Sequence, residues 1–345
     1  MKILVVKLSS LGDVIQTIPV VEDILNNFPH AAIDWVVEEA FAPIIKRVQG
    51  VRRVLPYAER RWRKARFEAT TQQQRAAFLV KLQAETYDAV IDFQGLIKSA
   101  LVARKALLTK GGFRATYANR SEACSYEWPV RFMVNRAIPM ARRIHAVARY
   151  RALAAGALGY ELQGEPDYDL RNQTPETGPA PLEGGRRTVV LAHGTTRLDN
   201  EWPQARWIDI GRRLAAQGFQ VALPQNGGYE LEFSKTVVQA IGHGAEVWPR
   251  MALHHVLDHM ALSAGVIGVD SGLSHLAVAL DLPHVQIYNF DTAWRTGPLA
   301  GADGAGGQRQ LSVYAQPTPS VQRVWNAWLK CQPSRSPVSE RAPLS

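Results

Sequence analysis

The chain has 345 residues, 46% hydrophobic and 21% charged, a balance that excludes a disordered protein and leaves room for two domains. A formal charge of +9 and a pI near 9.7 point to an anionic partner: a phosphate-bearing substrate, a membrane surface or nucleic acid. Two cysteines, Cys124 and Cys331, lack spacing partners for a zinc site or a redox pair and fit a reducing compartment.

Ile3 to Val6 reads as a buried strand, KLSSLGDV (Lys7 to Val14) as a turn, and Val14 to Phe28 as one amphipathic helix. Such a turn usually holds a phosphate at the helix N-terminus, yet here it carries Asp13, which would repel one. The plain alternative is that Asp13 only stabilises its helix end. Lys2 and Lys7 flank four apolar residues, too few for a signal-peptide core, and no later run is long enough to span a bilayer. The expectation is therefore a cytoplasmic protein whose membrane contact is peripheral.

IDWVV at 33–37 predicts the next strand. From Lys46 to Arg66 nine basic residues stand against one acid, Glu59, with Arg60, Arg61, Arg63, Lys64 and Arg66 crowded around Trp62. The bland reading is a solvated helix face; the sharper one is a field, unbalanced by local acids, that reaches an anionic ligand. No helix-turn-helix, RNP or zinc-finger signature accompanies it, so nucleic acid is disfavoured. YDAVIDF at 87–93 is a third strand, and the Pro- and Gly-rich segment from Glu165 to Arg187 is a linker.

A second alternating series follows, with strands expected within 188–194, 219–226, 265–270 and 283–289. In GVIGVDSGLSHLAVAL a strand ends at Asp270, and Ser271 and Gly272 open a helix whose free amides suit a diphosphate. His275 lies one turn further along; alone it would more often be structural, and Ser271 would serve equally well as a simple cap. HGTTRLDNEWP offers Thr195 and Thr196 beyond the first strand end, with Trp202-Pro203 leading into a helix. GxGxxG and GxSxG are absent, so neither a dehydrogenase nor a serine hydrolase is indicated, and no metal is expected. The fold expected is α/β, two doubly wound domains facing across a cleft. Their bounds are 1–170 and 188–315, joined by 171–187 and followed by a helix at 316–331 and a disordered tail at 332–345.

Taken together, KLSSLGDVIQTIPVV, DWVVEEAF, RRWRKAR, YDAVIDFQGLIKSA, HGTTR with Trp202-Pro203, and VDSGLSHLAVAL resemble the ADP-heptose transferases of glycosyltransferase family 9, which have the GT-B fold. RRWRKA and DFQGLIKSA are most similar to the members that add the first heptose. The resemblance implies metal-independent, inverting transfer of L-glycero-D-manno-heptose from ADP-heptose to a Kdo residue of Kdo-lipid A, by a monomer at the cytoplasmic face of the inner membrane. It implies that Asp13 is the general base, ionised with an ordinary carboxyl pKa near 3.9. It also implies that Thr195, Thr196, Asn200, Ser271, Gly272 and His275 grip the donor phosphates, with Asp270 near the heptose, Glu230 on the ribose and Met251 at the adenine. Ser10, Gly12, Arg60, Arg61, Arg63, Lys64, Arg120 and Arg143 fall on the acceptor side. Asn200 stands where better-known members carry lysine, and the late motif IYNFDTAWRTGP departs from the commoner form. A sibling transferase, a UDP-sugar 2-epimerase or a non-catalytic ADP-sugar-binding protein are the competing readings.

Overall fold

The structure, a computed structural model, describes residues 1–170, 187–299 and 309–332. The expected linker, except for its last residue, and all but the first residue of the expected tail lie outside these.

The described residues form two six-stranded sheets, parallel throughout. In the first, β1 (Lys2–Val6), β2 (Ala32–Glu38), β3 (Val51–Tyr57), β4 (Thr86–Asp92), β5 (Leu107–Tyr117) and β6 (Arg136–Ile138) run in the order β3-β2-β1-β4-β5-β6. The second holds β7 (Thr188–Ala192), β8 (Gln220–Leu223), β9 (Ala245–Val247), β10 (Gly265–Val269), β11 (His284–Tyr288) and β12 (Gln310–Tyr314), in the order β12-β11-β10-β7-β8-β9. Both orders reverse direction between the first and fourth strand of the sheet. The switch points are thus β1/β4 and β7/β10, where crevices open at the carboxyl ends of strands. The apolar runs found in the sequence are these central strands, covered on both faces and so continuous rather than alternating.

The first half also contains α1 (Leu11–Thr17), α2 (Pro19–Asn27), α3 (Ala42–Ile45), α4 (Glu59–Lys64), α5 (Ala69–Gln83), α6 (Ile97–Lys105) and α7 (Ala146–Leu158). One expected helix, Val14–Phe28, is two, because Pro19 lacks the amide to continue α1 and instead opens α2. Trp62, Phe78 and Val102 put α4, α5 and α6 over one face of the first sheet. Helices α1, α2 and α7 cover the other.

The second half contains α8 (Gln204–Ala216), α9 (Gly228–Ile241), α10 (Leu253–Ala261), α11 (Gly272–Ala279), α12 (Ala293–Thr296) and α13 (Val321–Cys331). The final apolar helix, α13, packs on the second sheet through Val324 and Trp328. The apolar cluster beneath α1 continues through Leu257, Met260 and Leu276 of α10 and α11, so one core runs between the halves. Arg47 and Asp258 pair across the same junction, with Asp258 fully buried.

The sequence patterns did not reveal β3, β5, β6, β9 and β12. Most are short or lie at sheet edges, where one side is open and the apolar run is diluted. Within β3, Arg52 sits 2.8 Å from Asp34 and 3.0 Å from Glu85, so part of the basic stretch is an ion-paired strand rather than free charge.

Candidate active site

The turn after β1 brings Asp13 into the cleft as the third residue of α1. One carboxylate oxygen, Oδ2, accepts from the Ser10 amide at 3.0 Å and the Ser10 hydroxyl at 2.7 Å, which closes the helix N-terminus. The other, Oδ1, accepts from the Tyr150 hydroxyl at 2.7 Å and lies 3.8 Å from the Lys7 ammonium. One oxygen thus serves the helix N-terminus, as the plain reading has it, and the other faces Tyr150 and Lys7. Lys7 is 2% exposed and donates to the Phe93 carbonyl and to Tyr150. Arg149 also donates to the Tyr150 oxygen, at 3.0 Å, which leaves the Tyr150 proton for Asp13.

Burial works to raise the Asp13 pKa, but the Lys7 charge and the hydrogen bonds from Tyr150 and Ser10 outweigh it and hold the carboxyl well below the usual carboxylate range. This corrects the ordinary value expected: the carboxylate is ionised with a wide margin, and is a weaker base for it. Nearby, burial pushes fully enclosed Asp92 up to about 6, against hydrogen bonds from the Gln94 amide, Ser99 and the Gly95 amide.

Opposite stands the start of α11. Ser271, its N-cap residue, has an extended backbone, and its buried hydroxyl has no partner among the described residues. It does not act as the simple cap that the sequence allowed. A free hydroxyl beside open amides at a helix N-terminus suits an anion. Asp270 just before it is a network centre: Oδ1 lies 3.4 Å from His275 Nε2 and accepts from Thr296 and Gln286 at 3.3 Å, and Arg295 is 3.8 Å from Oδ2. Burial again pushes the carboxyl up, and His275, Arg295 and Thr296 bring it below its ordinary value.

The two helix starts meet. A Cβ on Gly12 would stand 2.4 Å from His275 Cδ2, and one on Gly272 would stand 2.7 Å from Leu11 Cδ2. Each position needs glycine because the opposite helix occupies the space. Gln16 reaches the Thr296 carbonyl, and His145 reaches the Gly297 carbonyl at 2.9 Å, so α1 and α7 both engage the loop around α12.

A second recess lies beside the turn after β7, lined by His193, Thr195, Trp202, Tyr229, Glu230 and Phe233 among others. Glu230, in the first turn of α9, accepts from the Asn226 amide and lies 2.9 Å from where a Cβ of Gly194 would be. His193 stacks on Phe233 with 4.7 Å between ring centres and meets the Ser234 hydroxyl at 2.8 Å. Burial pulls its pKa down to about 4, so it is neutral at physiological pH. Thr195 accepts from the Arg197 amide, Thr196 is exposed, and Asn200 ends the 3-10 turn Leu198–Asn200. The Arg197 guanidinium grips Asp199, which makes Arg295 the better-placed cation for the α11 end. Met251 packs against the core beside α10 and does not line this recess.

The basic patch is built differently from the expectation of uncompensated charge. Trp62 is buried against Tyr57 and Phe78, which fixes α4 on the sheet. Arg61 forms a bidentate pair with Glu39 at 3.0 and 2.8 Å, and Arg60 lies by Glu38 and over the Phe41 ring. Glu38 and Glu39 are distant in sequence and arrive from the end of β2. Arg63 and Lys64 are exposed, with no ion pair among the described residues. Arg120 is exposed beyond β5, and Arg143 stacks 4.5 Å over Trp294 of the other half.

Of the expected residues, Ser10, Gly12, Asp13, Asp270, Ser271, Gly272 and His275 form one cluster, with Thr195 and Glu230 at the recess. Tyr150, Arg149, Gln16, Arg295 and Asn289 escaped the sequence reading. Asn289 donates to the Asp199 and Glu201 carbonyls, both at 2.9 Å, and so pins the loop that carries Asn200. Its signal was the unusual late motif; Tyr150, 137 residues from Asp13, had none. Among the described residues no group of three His, Cys, Asp or Glu could hold a metal ion.

The family model for glycosyltransferase family 9 (heptosyltransferase) matches residues 75–323. Lipopolysaccharide heptosyltransferase 1 of Escherichia coli K12 is 41% identical over 290 residues, 84% of this chain and 88% of that protein. The structure of E. coli heptosyltransferase WaaC with ADP superposes with a TM-score of 0.82 at 35% identity, covering 94% of this chain and 98% of the other. The same enzyme with ADP-2-deoxy-2-fluoro heptose gives a TM-score of 0.77 at the same identity and coverage. On these matches and this architecture, the chain is a glycosyltransferase of GT-B fold and belongs to glycosyltransferase family 9, the heptosyltransferases.

Proposed function

We propose that the protein transfers L-glycero-D-manno-heptose from ADP-heptose to a Kdo hydroxyl of Kdo-lipid A, with inversion, in lipopolysaccharide inner-core synthesis. The observation that carries this reading is the opposition of Asp13 to the Ser271–Gly272 helix start across Gly12 and His275. A carboxylate on one side and an anion cradle on the other suit a displacement at a carbon between them.

In this reading Ser271, Gly272, His275, Thr195, Thr196 and Asn200 hold the diphosphate, with Arg295 adding the charge that Asn200 does not bring. Glu230 takes the adenosine ribose, Met251 borders the adenine, and Asp270 orients the heptose. The Kdo hydroxyl oxygen forms the new bond to the anomeric carbon, and its proton goes to Asp13. The bond from that carbon to the phosphate oxygen breaks, and ADP leaves with the electron pair. Asp13 is a depressed base, so the proton moves as the bond forms rather than before it. Arg63 and Lys64, with Arg60, Arg61, Arg120 and Arg143, meet the acceptor carboxylates and phosphates. Among the described residues no helix is long and apolar enough to cross a membrane. In this reading the enzyme meets its lipid-linked acceptor by peripheral contact at the cytoplasmic face of the inner membrane.

The test is ADP release with ADP-heptose and Kdo-lipid A, run against donor alone. Release that requires the acceptor supports the transfer. Release without it means donor hydrolysis, and binding of ADP with no release means another sugar or a binding-only protein.

A further inference from the structure

We propose that the outer face formed by α6 and the 3-10 turn Trp128–Phe132 docks on an anionic lipid bilayer, with Trp128 and Phe132 entering the headgroup region. Both rings are 68% exposed and lie edge to face, 5.9 Å between centres. Beside them on α6, Ile97 and Leu101 are 41% and 50% exposed. They are one turn apart and so share a face. Isolated exposed apolar residues are ordinary, but four on adjoining elements form a patch that calls for a partner.

Charge decides which partner. Lys98, Arg104 and Lys105 are exposed on the same helix, and Arg131 lies 4.8 Å over the Phe132 ring. Neither α6 nor the turn contains an acid. The flanking Glu127 is occupied by the Ile97 amide. Cations around exposed Trp, Phe, Leu and Ile match an interface with apolar depth and anionic headgroups. The mount is firm. Val130 under the turn and Val102 and Ala103 under α6 are buried, and the Glu127 amide donates to the Gly95 carbonyl. Position agrees as well, because α4 and α6 cover the same face of the first sheet. A bilayer held at α6 would lie alongside the basic helix, so the inference extends the proposed use of a lipid-linked acceptor without requiring it.

The test is co-sedimentation of the full chain with acceptor-free vesicles of phosphatidylcholine, with and without phosphatidylglycerol. The wild type is expected to bind the anionic vesicles, less at high salt, and to bind neutral ones poorly. Trp128→Ser with Phe132→Ser should lower the partition coefficient about tenfold or more, while ADP raises Tm as in the wild type, which confirms folding. Replacing Lys98, Arg104 and Lys105 with alanine should weaken binding and flatten its salt dependence. Absent binding by the wild type overturns the proposal, as does an unaffected Trp128/Phe132 variant or binding lost only on charge reversal at Arg63 and Lys64. Self-association through the patch without vesicle binding would assign the face to protein contact instead. None of these outcomes depends on the identity of the donor sugar.

Discussion

At the switch point of the first sheet, the turn after β1 delivers a carboxylate, Asp13, held by Lys7, Tyr150 and Ser10. At the switch point of the second, the turn after β10 delivers open amides and the Ser271 hydroxyl, which has no partner among the described residues. The strand order is shared, so the fold itself does not set the chemistry. What differs is the charge buried beneath each turn. Under the first turn, buried Lys7 and Arg149 hold Asp13 directly and through Tyr150. At the second, the Asp270 carboxylate is engaged by His275, Arg295 and Thr296, and the Ser271 hydroxyl has no partner among the described residues. The first turn thus presents a held carboxylate, and the second presents free donors beside a carboxylate already engaged by its own neighbours.

The largest effect that would break this division is at Asp13. Asp13→Asn should lower kcat by about 10²–10⁴-fold, the range of a positioned general base, while ADP affinity by calorimetry stays within a few-fold. A tenfold loss of ADP binding would place Asp13 on the donor side and remove the contrast.

Gly12→Ala tests whether the halves must touch. Its Cβ would fall 2.4 Å from His275, and overpacking of this kind costs about 1–3 kcal/mol. Activity should fall more than tenfold and thermal stability should drop. Wild-type turnover would mean that the helix starts work further apart.

Tyr150→Phe sharpens the comparison, since it removes the proton donated to Asp13 and leaves the donor half untouched. That hydrogen bond favours the carboxylate, so its loss raises the Asp13 pKa. The acid limb of kcat/KM should move to higher pH, with the KM for donor unchanged. A structural role alone would lower activity equally at every pH.

On the patch, Arg63→Glu should raise the acceptor KM more than Arg61→Glu, because Glu39 already neutralises Arg61. Equal effects would show that the pairing with Glu39 opens when acceptor binds.

The smallest expected effect is on stability against pH. His193 and His284 have folded pKa values of about 4, below the ordinary 6.5, so the unfolded chain binds more protons between those values. Their contribution is present above 6.5 and lost as pH falls toward 4. Asp92 opposes it: its folded value of about 6 exceeds the ordinary 3.8, so its share of stability declines as pH rises through that window. Acidification from pH 6.5 to 4 should lower Tm more steeply in Asp92→Asn and less steeply in His284→Gln. Parallel profiles would mean that these groups do not control acid stability.

Much of this was legible in sequence because central parallel strands are covered on both faces and therefore read as plain apolar runs, Ile3–Val6 and Gly265–Val269 among them. The turns that follow such strands carry their polar groups in adjacent residues, so KLSSLGDV and VDSGLSH put Asp13 and Ser271 forward as candidates. Edge strands such as β3 hid behind Arg52 and Arg53, whose partners Asp34 and Glu85 come from elsewhere in the chain. The α4 patch looked uncompensated for the same reason, since Glu38 and Glu39 reach it only through the pairing of β2 with β3.

The sequence by itself determined the two β/α series, the glycines at the helix starts and the residue types at each turn, since all of these depend on near neighbours. The tertiary structure alone decided that Tyr150 donates to Asp13, that Gly12 faces His275 and that Arg295 stands beside Asp270. Each of those contacts depends on where a distant strand or helix is placed, and local spacing carries no information about it.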